Sequence, residues 1–168
     1  MNAIVSVTKD WGIGMRGRLL VPNREDMRFF VQKTMGGTVI CGRKTFQSFP
    51  GGPLKGRHNI VLTSDSAYQV KGATVVHSLD EALEAARDEE PHRVWVIGGE
   101  RVYRQLIDRC DTAYVTMHDV TVPCDAHFPN LDDDGRWEVR ERIPGGTTPA
   151  GVPFEFLVYA RKACDTKG

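Results

Sequence analysis

Short apolar, β-branched runs recur along the chain at residues 3–7, 38–41, 59–62, 74–76, 94–97 and 113–117. Each is bounded by turn-forming residues and is hydrophobic enough for a buried strand. Between them the spacing becomes helical. Residues 23–34 carry Met27, Phe30 and Val31 on one face, and residues 99–107 group Val102, Tyr103, Leu106 and Ile107. Ser78-Leu79-Asp80-Glu81 is a capping box that opens the helical stretch 82–87. Strands alternating with helices predict an α/β fold. After Trp137 the pattern changes. Residues 137–142 and 154–161 read as two strands separated by Pro144-Gly145-Gly146 and Pro149-Ala150-Gly151, a closing antiparallel pair. No repeat, linker or low-complexity segment interrupts residues 1–168, which predicts a single domain.

A chain of 168 residues buries roughly 70% of the surface that its unfolded form exposes, so its core needs no staple. Lys plus Arg and Asp plus Glu are 22 each, and no overall field draws the protein to nucleic acid or an anionic membrane. An anionic ligand must therefore meet a local basic cluster. The N-terminus lacks a basic segment and a small-residue cleavage site, and no apolar stretch is long enough to span a bilayer, which predicts a cytoplasmic protein. Cys41, Cys110, Cys124 and Cys164 show neither C-x-x-C nor zinc spacing, and the five histidines form no i,i+4 pair, so no metal site and no disulfide framework is predicted.

Gly12-Ile13-Gly14-Met15-Arg16-Gly17 matches G-x-G-x-x-G, but its context is wrong for a dinucleotide fingerprint. Residues 8–11 separate it from the preceding strand, Pro22 interrupts the segment after it, and no acid stands about 20 residues on. A flexible loop is the better reading. Residues 51–58 look like a phosphate loop, but Arg57 and His58 occupy the places of its lysine and hydroxyl. Two other places are better anion sites, because each puts glycine and backbone N–H groups at a helix start directly after a strand. One is Cys41-Gly42-Arg43-Lys44-Thr45, with Thr63 and Ser64 ending the next strand. The other is Val96-Ile97-Gly98-Gly99-Glu100-Arg101. Asp26 stands three residues after Asn23, where it could simply favour the helix N-terminus by about 0.5 kcal/mol. With Met27 and Phe30 on nearby faces, it could equally accept paired hydrogen bonds from an amidine-like heterocycle.

In this order the segments resemble dihydrofolate reductase over nearly the whole chain. Residues 11–15 look like its active-site loop, 25–30 like its acid-bearing helix and 42–46 like its first cofactor helix. Residues 53–62, 96–103 and 125–129 complete the series. The resemblance implies a central eight-stranded sheet, mostly parallel with an antiparallel C-terminal edge, flanked by helices, with a cleft holding NADPH against dihydrofolate. It assigns Arg43, Lys44, Thr63 and Ser64 to the ribose 2′-phosphate, with Gly42, Thr45, Leu62 and Val102 in the same cofactor site. Gly98, Gly99, Glu100 and Arg101 approach the pyrophosphate through main chain, with a cis peptide joining the glycines. Ser6, Ile13, Gly14 and Leu19 line the nicotinamide side, with Tyr103 near the ring.

For the substrate, the resemblance assigns Asp26 to the pterin N3 and 2-amino group, aided by Thr116, with the carbonyls of Ile4 and Ile97 and the main chain of Val5 nearby. Met27, Phe30, Phe49 and Leu54 pack the rings, and Arg57 grips the glutamate α-carboxylate. Asp26 is the catalytic residue in the sense that it orients and polarises the pterin while water delivers the N5 proton. Dihydrofolate is then the partner of a monomer that binds neither nucleic acid nor membrane. One position departs from the family pattern: Val21 stands where an aromatic residue, commonly tryptophan, precedes the acid-bearing helix. Competing readings are the pyrimidine reductase of riboflavin synthesis, which shares the fold and the cofactor, and a silent folate- or nucleotide-binding module.

Overall fold

The structure is a computed structural model that describes residues 1–14 and 20–162. In chain order the elements are β1 (Asn2–Thr8), β2 (Gly12–Gly14), α1 (Arg24–Thr34), β3 (Thr38–Gly42), α2 (Arg43–Gln47), β4 (His58–Leu62), β5 (Thr74–Val76) and α3 (Leu79–Ala85). There follow β6 (Val94–Gly98), α4 (Glu100–Leu106), β7 (Thr112–His118), β8 (Ala126–His127), β9 (Trp137–Thr147) and β10 (Pro153–Arg161). Eight strands form one sheet in the order β5-β4-β3-β6-β1-β7-β10-β9, while β2 and β8 pair separately. Strands β5 through β7 of that order run parallel, and β10 and β9 close the edge antiparallel. This is the expected architecture.

The central strand β1 shows why the apolar runs are continuous. Successive side chains point to opposite faces, and here both faces are covered. Ala3, Val5 and Val7 enter the larger core cluster with Val96, Val115 and Leu106. Ile4 lies on the other face with Val39 and Trp95, against Phe29, Phe30, Leu54 and Tyr114. Helix α1 is thus laid on the face that Ile4 and, two residues on, Ser6 present.

One element differs from the sequence expectation. Pro144-Gly145-Gly146 does not turn the chain but lies inside β9, with Pro144 opposite Glu155 and Gly146 opposite Phe154 across a bulge. An edge strand tolerates proline, because one of its sides has no ladder to feed. A Cβ on Gly145 would stand 2.3 Å from the Phe154 ring, so the glycine makes room for that side chain. The turn falls at residues 148–152, around the expected Pro149-Ala150-Gly151, and is closed by Thr148 N–H to the Val152 carbonyl at 2.9 Å. On α1, Met27 and Val31 are 53% and 39% exposed. The core contacts of the helix come from Phe29 and Phe30.

Candidate active site

Helix α1 starts where Asn23 accepts the backbone N–H of Asp26 on its side-chain oxygen at 3.2 Å. Asn23 is itself fixed. Its amide nitrogen donates to His118 Nε2 at 3.0 Å, and the opposite ring nitrogen lies 3.0 Å from the Val7 carbonyl. A carbonyl only accepts, so Nδ1 carries the proton and Nε2 accepts. His118 is fully buried, and this chain of bonds ties the first turn of α1 to β1 and β7.

Asp26 reaches from that turn to β7, where the Thr116 hydroxyl donates to its Oδ1 at 2.5 Å. Ser6 is in register with Thr116 on the neighbouring strand and stands near the carboxyl. Burial raises the pKa of Asp26 above the ordinary 3.8. Thr116, then His118 and Ser6, pull it the other way without cancelling the effect of burial. Ser6, expected toward the nicotinamide, therefore belongs to the immediate surroundings of the acid. Above it, Tyr103 donates its hydroxyl to the Ile4 carbonyl at 2.7 Å. Burial, followed by the charges of Asp26 and of Cys41 and Cys110, pushes that phenol well above its usual range, so it remains a donor.

Met27, Phe30, Val31 and Met35 continue from Asp26 along α1, and three of them are large apolar side chains left exposed. Arg57 closes the far end. Its guanidinium lies 6.0 Å from the Phe30 ring centre and donates to Thr34 Oγ1 at 3.1 Å and, through Nε, to the Lys55 carbonyl at 3.0 Å. The loop that carries Leu54 and Arg57 is organised by Asn59, whose buried side chain accepts from Leu54 N at 2.9 Å. The same side chain donates to the carbonyls of Leu54 at 3.0 Å and Arg57 at 2.9 Å. Phe49 is placed by an edge contact to Phe46, with ring centres 6.1 Å apart. Val5 is in the core, so only its main chain can face a ligand.

A cleft of about 450 Å³ lies beyond the carboxyl ends of β3, β4, β5 and β6, the place where open α/β sheets bind ligands. It is lined by Gly42, Arg43, Lys44, Thr45, Leu62, Thr63 and Ser64 on one side and by Gly99, Glu100, Arg101 and Val102 on the other. All were expected there. His77, Ser78, Leu79 and Gln105 complete it and were not. The capping box at Ser78 follows a strand just as Gly42 and Gly99 do, and that shared signal could have found three of the four.

Helices α2 and α4 have five and seven residues, so the basic side chains supply most of the attraction for an anion. Arg43 pairs with Asp65 at 3.6 Å in a half-exposed contact, of a kind worth about 0–1 kcal/mol and readily exchanged for a phosphate. The Glu100 side chain is occupied by Arg104 at 3.2 Å and by the His127 N–H at 2.9 Å, which leaves its main chain to the cleft.

The Gly98–Gly99 peptide is cis. A Cβ on Gly98, where φ is +122°, would stand 3.3 Å from the Tyr103 ring. A Cβ on Gly99 would only touch Thr45 Oγ1 at 3.4 Å. Ile97, partly buried, packs against both smaller core clusters. Ile13 and Gly14 lie in β2, outside the lining of this cleft, and Leu19 lies outside the described residues. Val21 is buried. Cys41 and Cys110 are buried free thiols, each pushed up to about 12 by burial.

Comparison with known proteins agrees with this geometry. The family profile for dihydrofolate reductase matches residues 1–161. The dihydrofolate reductase of Staphylococcus aureus is 32% identical over 151 residues, covering 89% of this chain and 91% of its own. That of Neisseria gonorrhoeae is 36% identical over 138 residues, 82% and 83% of the two chains. The structure of dihydrofolate reductase from Enterococcus faecalis, complexed with NADP(H) and RAB-propyl, superposes with a TM-score of 0.86 at 35% identity, covering 96% of each chain. The chain belongs to the dihydrofolate reductase family, and with it to the NADPH-dependent reductases.

Proposed function

We propose that the chain transfers hydride from NADPH to 7,8-dihydrofolate, giving 5,6,7,8-tetrahydrofolate, with Asp26 orienting and polarising the pterin. The observation that carries this reading is the desolvated carboxyl of Asp26, held by Thr116 at 2.5 Å and flanked by the exposed apolar side chain of Met27. An acid so placed accepts a pair of hydrogen bonds from a ring N–H and an adjacent amino group. Met27, Phe30, Phe49 and Leu54 pack the rings, and Arg57 takes the glutamate α-carboxylate with a guanidinium already aligned by Thr34 and Lys55.

The cleft fits the cofactor. Arg43, Lys44, Thr63 and Ser64 would hold the 2′-phosphate, and the missing Cβ of Gly99 leaves the main chain open to the pyrophosphate. When bound, NADPH supplies the hydride to pterin C6. The chain's part is positioning, which removes the entropic cost of bringing two rings together. Asp26 lies at the N3 side of the pterin, so the N5 proton comes from water. The same reading makes residues 1–168 one domain, built on the single large sheet. It also makes the chain a cytoplasmic monomer whose balanced charge gives nucleic acid and membrane no purchase. Among the described residues, no helix is long and apolar enough to cross a membrane.

The test compares NADPH oxidation on dihydrofolate and on a phosphoribosylamino-pyrimidine. Turnover of dihydrofolate alone is expected. Turnover of the pyrimidine alone, or tight folate binding without any turnover, would replace this reading with one of its two competitors.

A further inference from the structure

Outside the cleft, the fold brings together three side chains of different ligand type: Asp10 from the turn after β1, and Cys124 and His127 from the segment between β7 and β9. A carboxylate oxygen, Sγ and a ring nitrogen all lie within 4.8 Å of one another, and Cys124 Sγ is 3.2 Å from His127 Nε2. A tetrahedral zinc ion with bonds of about 2.3 Å to sulfur and about 2.0 Å to nitrogen separates those two ligands by about 3.6 Å. The cluster therefore needs shifts of only a few tenths of an ångström to about one ångström, in side chains that are exposed or partly exposed.

We infer that Asp10, Cys124 and His127 form a binding site for a borderline-soft divalent cation of the zinc class, with water in the fourth position. Thiolate and imidazole together select such an ion over calcium or magnesium, which demand oxygen ligands. The two anionic ligands, Cys124 and Asp10, balance its charge.

The ligands are held from behind, as metal ligands are. The Thr8 hydroxyl donates to Asp10 and accepts the Gly12 N–H at 3.0 Å. Glu100 accepts the His127 N–H at 2.9 Å, and His127 pairs with Gly12 across the short β2–β8 ladder. Gly12 makes the approach of the thiol possible, since a Cβ there would stand 2.8 Å from Cys124 Sγ. Asp10, Asp125 and Glu100 surround the thiol with negative charge. That surplus of negative charge attracts a dication. The hydrogen bond between Cys124 and His127 joins that pair, and Asp10, held by Thr8, brings a carboxylate to the same place as a third ligand. The sequence hid the site because Cys124-Asp125-Ala126-His127 supplies only two ligands, and the third arrives from the other end of the chain.

Cobalt(II) titrated into the reduced, metal-free protein should bind one equivalent, with thiolate-to-cobalt charge-transfer absorption, and zinc(II) should displace it. Cys124→Ser should abolish that absorption, and His127→Gln and Asp10→Asn should each weaken zinc binding by roughly tenfold or more. Zinc should raise the melting temperature of the parent protein and not that of Cys124→Ser. An absent thiolate band in the parent protein, or the same band in Cys124→Ser, would overturn the assignment.

Discussion

Asp26 sits where its own ionisation is disfavoured, and this gives its role a thermodynamic signature. Burial raises its pKa in the folded protein above the ordinary 3.8, so the folded state holds the proton more firmly than the unfolded state does. The stabilising contribution of the group is complete below the unfolded value and is lost as pH rises through the folded one. Asp26→Asn should therefore raise the melting temperature of the unliganded protein at pH 7, and the gain should shrink as pH falls into the carboxylate range. The same substitution should slow dihydrofolate reduction on the order of a hundredfold or more while leaving NADPH affinity unchanged. Calorimetry across pH and a ligand titration read the two effects separately. Arg43 gives a second test of the site at this scale. Arg43→Ala removes a charged partner worth about 1.5–3 kcal/mol, so NADPH should bind at least about tenfold more weakly and NADH about as before, measured by fluorescence titration.

The start of α1 is built from three residues rather than one. Asn23 caps the helix at Asp26 N and satisfies His118, which has no access to water. Asn23→Ala should destabilise the protein by roughly 1–3 kcal/mol, for the lost cap and the orphaned imidazole nitrogen, and should lower kcat because the turn carrying Asp26 loosens. Chemical denaturation checks the first and steady-state kinetics the second. The adjoining glycines should separate in the same way. Gly98→Ala introduces a side chain at φ +122° against Tyr103 and should cost about 1–3 kcal/mol of stability. Gly99→Ala, whose Cβ meets only Thr45, should leave the melting temperature nearly unchanged and weaken the cofactor. At this scale the sequence was legible wherever a local rule decides structure. Continuous apolar runs marked the parallel strands, the capping box marked α3, and glycines after strands marked both walls of the cleft. Pro144-Gly145-Gly146 misled because a bulged edge strand tolerates residues that elsewhere turn the chain.

At the scale of the whole molecule, the chain has no net charge, yet it concentrates Arg43, Lys44 and Arg101 around one cleft at the carboxyl ends of the parallel strands. In the proposed function, attraction for the cofactor is therefore short-ranged, and specificity rests on contacts at the 2′-phosphate. The residues that line this cleft were legible in the sequence, since glycines and basic residues there stand at strand ends. What order could not show is how distant segments meet. Asn59 organises the loop that carries Leu54 and Arg57, His118 reaches Asn23 across 95 positions, and the two ligands Cys124 and His127 meet Asp10. None of these has a local pattern, because each depends on which strands become neighbours. One acid-bearing helix and one phosphate-binding cleft share the same sheet, and in the proposed function these two halves act on two linked substrates. The most direct measurement is the initial rate of nicotinamide oxidation with dihydrofolate present, using NADPH and then NADH. Rapid oxidation of NADPH that depends on dihydrofolate, with NADH far slower at equal concentration, is the expected result. Folded protein that oxidises neither, or oxidises both equally, would contradict that function.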